Sequence, residues 1–214
     1  MTMNTALLLL ILSMMFAHHG FAGPNKNGFD LSRSLVPADK ILEGGPPRDG
    51  IPAIDQPRYV QASTMDQLAD GDLVLGLVHN GIARAYPTRI LVWHEIVNTE
   101  FGGEAVVITF CPLCGTGLAF ASSLDNRQLD FGVSGLLHNS DLLMYDRQTE
   151  SLWSQIPGRA VSGIHAGRKL QRLPAVHMPW SQWRGQYPES AVLSFDTGHR
   201  RNYSRDPYAG YDRS

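Results

Sequence analysis

Apolar and polar positions along the chain fall into three regimes. Residues 7–17 read LLLLILSMMFA, an apolar block interrupted only by Ser13. Residues 23–58 are rich in Gly, Pro and Asn (GPNKNG, VPADK, EGGPPRDGIPAIDQP) and show neither helical nor alternating periodicity. That pattern predicts an extended arm lying over the domain, with little regular structure. From Asp72 onward, short apolar runs alternate with turn signals, which predicts strands. Runs at 73–78 and 82–86 flank His79-Asn80-Gly81, and Asn-Gly is the strongest short hairpin signal. Residues 105–110 (AVVITF) are continuously apolar and β-branched, as in a strand buried on both faces. Further strands are expected at 118–122, 128–133, 142–146, 151–154, 170–173 and 191–195. Helices are expected at 65–69, where Thr64 and Gln67 fit a capping box, at 88–97, and at 180–187, ended by Pro188. The predicted fold is mainly β (or α+β): a single compact, mostly antiparallel β domain over 59–214 with a few short helices.

The first apolar block is too short for a membrane span of about 20 residues but suits the core of a secretory leader. Gly20-Phe21-Ala22 supplies small residues before a cut, so residues 1–22 are expected to be a signal peptide. The product would be periplasmic or extracellular, with no spanning segment left. An uncleaved leader would instead anchor the N-terminus to the membrane.

Composition narrows the classes further. In 214 residues, 43% are hydrophobic and 18% charged, which excludes intrinsic disorder. A net charge of −2 removes the electrostatic basis for nucleic-acid binding. Cys111 and Cys114 are the two cysteines, too few for a disulfide-scaffolded miniprotein.

Cys111-Pro112-Leu113-Cys114-Gly115 is the sharpest local feature, a turn following the 105–110 strand. Its spacing suits a metal chelate, a reversible disulfide or a fixed disulfide. A fixed bridge closing so short a loop contributes only about 2 kcal/mol in the chain-entropy account. A thioredoxin-like site needs a helix starting at the first Cys, and Gly115-Thr116-Gly117 argues against one. Gly115 stands where a haem-attachment motif needs His, so haem is excluded. No Walker-type loop occurs, so no nucleotide is expected. Soft thiolates with imidazole suit Cu or Zn. Of the histidines at 79, 94, 138, 165, 177 and 199, His94 and His138 are the preferred ligands, with Glu95 or Asp141 orienting the imidazole by a hydrogen bond. His94-Glu95-Ile96-Val97-Asn98 is not a zinc-protease helix, because Asn98 replaces the second His. The Tyr/Arg-rich tail from Arg200 reads as solvated.

The runs 92–98 (VWHEIVN), 110–115 (FCPLCG), 131–137 (FGVSGLL), 138–142 (HNSDL), 144–147 (MYDR), 149–155 (TESLWSQ) and 206–208 (DPY) together resemble DUF3179, a family of unknown function. The resemblance covers about residues 60–214. It implies one family-type domain and an exported or membrane-associated protein, and it carries no reaction. Members often continue past the D-P-Y-x-x-Y segment, whereas this chain stops at Ser214. The leading expectation is soft-metal (Cu or Zn) binding through Cys111, Cys114 and His94 or His138. The alternatives are a thiol–disulfide redox protein with Cys111 as attacking thiol, and a non-enzymatic binding module with a structural disulfide.

Overall fold

A computed structural model describes residues 24–210; the expected leader at 1–22 lies outside them. In chain order the arm carries β1 (Asn25–Lys26), β2 (Phe29–Asp30) and β3 (Ile41–Glu43), followed by β4 (Tyr59–Gln61). Next come β5 (Leu73–His79), β6 (Ile82–Pro87), α1 (Thr88–His94), β7 (Ile96–Phe101), β8 (Glu104–Cys111) and β9 (Thr116–Ala121). A small ribbon, β10 (Ser123–Leu124) and β11 (Arg127–Gln128), leads into β12 (Phe131–His138), β13 (Asp141–Asp146), β14 (Leu152–Ser154) and β15 (Arg159–Ser162). The chain ends with β16 (Gln171–Leu173), β17 (Val176–Pro179), α2 (Trp180–Gln186) and β18 (Ala191–Leu193). The fold is β-rich, as the pattern predicts.

Three sheets hold most strands, ordered β15-β14-β13-β12-β3, β16-β9-β8-β7 and β17-β5-β6-β18-β4. All pairings within them are antiparallel except β18 with β6. The side-chain period of two sorts the strands into layers. Along β8, Val106, Ile108 and Phe110 join a core with Leu75, Leu77 and Tyr86, whereas Val107 and Cys111 join another with Phe131, Met144 and Trp153. The β16-β9-β8-β7 sheet is therefore the middle layer, which is why AVVITF is apolar without interruption. The outer face of one flanking sheet is covered by the arm through Phe29, Leu31 and Ile41. The outer face of the other is covered by α2 through Trp180 and Trp183. The Trp183 ring lies so near β5 that a Cβ at Gly76 would sit 2.1 Å from it, so this contact requires glycine.

Three expectations need correction. The arm is more regular than its composition predicts, because β3 hydrogen-bonds to β12 and its Ile41 is buried. No helix forms at 65–69; a single 3-10 turn spans Ala62–Thr64, and the Thr64 hydroxyl donates back to the Gln61 carbonyl rather than capping forward. The helix at 88 stops at His94, because Glu95 turns left-handed and Ile96 opens a strand paired with β8. The Asn80-Gly81 hairpin forms as read, with both residues at positive φ. Among the described residues no helix is long and apolar enough to cross a membrane.

Candidate metal centre and adjoining pocket

Two hairpin ends meet at the cysteines. Cys111 closes β8 opposite Thr116, leaving Pro112-Leu113-Cys114-Gly115 as the turn, with Gly115 at φ +62° where a side chain would be strained. Between β12 and β13, Asn139 and Ser140 both take positive φ, the backbone of a two-residue hairpin turn whose twist matches its strands. The Cys111 thiol rests 3.8 Å from the Ser140 carbonyl oxygen. Cys111 is buried and Cys114 exposed, and both are free thiols. No helix follows them; the chain goes directly into β9.

Asp141, the first residue of β13, completes the cluster. One ligand atom each from Cys111, Cys114 and Asp141 lies within 4.8 Å of the others, the one such grouping of three among the described residues. The Asp141 Oδ2 accepts from Ser154 Oγ (2.6 Å) and from the Ile156 amide (3.1 Å), which fixes the carboxylate. Its Oδ1 is buried and has no partner. Burial pushes the Asp141 carboxyl up, against the hydrogen bonds from Ser154, Ile156 and Gln155 and the charge of His138. Burial, with the neighbouring Cys114 side chain, pushes the Cys111 thiol up to about 12. No cation is among the groups acting on Cys111. A buried acceptor left open costs about 1–3 kcal/mol, and charged groups cost more, so this arrangement is expensive without a positive partner.

The histidines are placed differently from one another. His138 ends β12, half-buried and paired across the hairpin with Asp141. His94 is buried with both ring nitrogens engaged: Nδ1–H donates to the Pro52 carbonyl (2.8 Å), and Nε2 accepts from the Tyr203 hydroxyl (2.7 Å). Burial pushes its pKa down to about 4, despite the Pro52 bond and with further lowering from His199 and Arg201. It holds no nitrogen open for a metal.

Glu95 does not orient His94. It takes the left-handed position that ends α1 (φ 58°, ψ −29°), and its carboxylate Oε1 accepts from the Tyr208 hydroxyl (3.0 Å). Burial pushes this carboxyl up to about 7, with the Tyr208 bond opposing. Glu95, Tyr208 and Cys111 line one pocket of about 50 Å³ whose other walls are apolar, including Ile51, Leu113, Leu137 and Leu142. The tail is thus not simply solvated: Tyr203 covers His94, Tyr208 covers Glu95, and Trp93 Nε1–H donates to the Arg205 carbonyl (3.0 Å). The aromatic spacing of that tail was the available signal.

A carboxyl raised by burial stabilises the fold while protonated. This contribution is complete below its unfolded value near 4.5 and is lost as pH rises through about 7. Glu95→Gln removes the titration and keeps an acceptor for Tyr208. Its stability should match wild type near pH 4 and exceed it by about 3 kcal/mol at pH 8. Urea unfolding at the two pH values checks this, and an equal difference at both would reject it.

Compared with known families, the chain matches, over residues 48–214, the one described as "Protein of unknown function (DUF3179)". No curated protein and no solved structure matches.

Proposed function

The chain belongs to the DUF3179 family, and on that premise we propose that it is an exported protein that binds one metal ion through Cys111, Cys114 and Asp141. The observation that carries this reading is the unpartnered Asp141 oxygen within reach of two free thiols, with no cation among the groups acting on Cys111. A divalent ion answers all three features together: it ionises the thiols, pairs with the carboxylate and offsets the buried charge. The mixed sulfur and oxygen donors favour zinc over copper, since Cu(I) prefers soft donors and Zn(II) accepts thiolate, imidazole and carboxylate alike. His138, opposite Asp141 on the hairpin, lies outside that 4.8 Å cluster and would have to turn toward it to supply a fourth ligand.

Thiol–disulfide chemistry is the second reading, favoured by the exposure of Cys114. It would have to start from Cys114 rather than Cys111, whose burial keeps it protonated and inaccessible.

The deciding experiment is a titration of the reduced, oxygen-free protein with Co(II), followed by displacement with Zn(II). One equivalent should bind and produce thiolate-to-cobalt charge-transfer bands. Because Cys111 must lose its proton to ligate, affinity should fall at least about tenfold for each pH unit below neutral. Thiols that stay reduced yet retain no ion would reject the metal reading.

A further inference from the structure

The pocket beside Cys111 has a one-sided chemistry. Among its lining residues the ionisable groups are Glu95, Cys111 and Tyr208, all acids, and none is Lys, Arg or His. The Tyr208 hydroxyl proton is engaged on Glu95 Oε1, and no second hydrogen bond to this carboxyl occurs among the described residues. The carboxyl thus lies in an apolar enclosure with one donor.

We propose that this pocket binds a short aliphatic amine, with its ammonium group paired to Glu95 and its alkyl chain against Leu113, Leu137 and Leu142. Burial alone keeps the Glu95 carboxyl protonated; a bound ammonium would offset the cost of its ionised form, and no Lys, Arg or His lines the pocket to do so. An anionic ligand would find no cation among the lining residues. The space limits the alkyl part: one water takes roughly 10–15 Å³ on this measure, so a chain of a few heavy atoms fits the 50 Å³ cavity. An apolar wall with one oriented polar group is the usual composition of a small-molecule site. The pocket shares Cys111 with the proposed metal site, whereas Glu95 and the leucines are not ligands in that reading.

The test compares n-propylamine, n-propanol and propionate, which share an alkyl body and differ in charge. Each is titrated into the full chain with reduced thiols, before and after adding Zn(II), while the methyl signals of Leu113, Leu137 and Leu142 are followed by NMR. The amine should saturate these shifts at concentrations at least about tenfold below propionate. Glu95→Gln should bring the amine to the level of propanol. Propionate binding as tightly as the amine, or an amine preference that survives Glu95→Gln, would overturn the proposal. Should Glu95→Gln not fold, the wild-type comparison of the three ligands decides alone. Failure of zinc to bind leaves the metal-free arm of this test intact, so the two readings fail separately.

Discussion

Cys111→Ser is expected to abolish stoichiometric metal binding, weakening it by at least about a thousandfold. Loss of groups that merely orient ligands costs about 10–100-fold, and a thiolate bound directly to the ion contributes more. Cys111 also joins the Cys111/Cys114/Asp141 cluster to the core, in one apolar group with Phe131 and Met144. The substitution therefore has to be separated from unfolding. A ligand at about a thousand times its Kd stabilises the native state by about 4 kcal/mol. Wild type should gain stability of that order on adding Zn(II), read from the shift of its urea midpoint. Cys111→Ser should show no such gain while keeping a cooperative transition without metal. Asp141→Asn should fall between the two, since its amide still offers an oxygen but no charge. A Zn(II)-dependent gain in Cys111→Ser equal to that of wild type would refute the assignment.

Asp146→Ala should have the largest effect on stability. Asp146 is fully buried, and its carboxylate gathers the Thr149 amide (2.7 Å), the Thr149 hydroxyl (2.7 and 2.9 Å) and Trp153 Nε1–H (2.8 Å). The turn between β13 and β14 is organised around that one side chain. Removing it strands an indole and an amide donor inside the protein, and each buried polar group left unsatisfied costs about 1–3 kcal/mol. That is a large share of the 5–15 kcal/mol that holds a typical domain together. Chemical denaturation measures the loss, and a change below about 1 kcal/mol would contradict it. Asp146, Thr149 and Trp153 lie in two of the runs that carry the family resemblance, and here they serve the fold rather than the Cys111/Cys114/Asp141 cluster. Asn98 serves it similarly, accepting from the Phe131 amide (2.9 Å) and donating to its carbonyl (2.8 Å), which ties two other runs together.

Local patterns carried much of the fold. The Asn80-Gly81 hairpin and the doubly buried 105–110 strand were legible because turn chemistry and period-two burial are written in neighbouring residues. The strand at Ile96 was hidden because a helix runs directly into it, although Ile96-Val97 is β-branched. Strands β3 and β4 escaped because they are defined by partners far along the chain, β12 and β18. The site divides in the same way. The cysteine turn was visible as a spacing, whereas Asp141, named only as a group that orients a histidine, lies with the thiols because a second hairpin delivers it there. The role of Tyr203 and Tyr208 likewise depends on contacts over more than a hundred residues.

The adjacent His94 and Glu95 have a joint consequence that neither has alone. In the unfolded chain near pH 5.5, the histidine carries a proton and the carboxylate has none. In the folded protein the order is inverted: His94, pushed down to about 4, is bare, and Glu95, pushed up to about 7, holds the proton. Folding near this pH thus leaves the pair's total proton count unchanged. His94 makes stability rise with pH between about 4 and 6.5, Glu95 makes it fall between about 4.5 and 7, and over the shared interval the slopes cancel. The Glu95→Gln variant would expose the His94 slope alone, rising with pH where wild type stays level. A pair of residues that is chemically strained in the native state thereby acts as a pH buffer on the fold, holding this contribution to stability constant through mild acid.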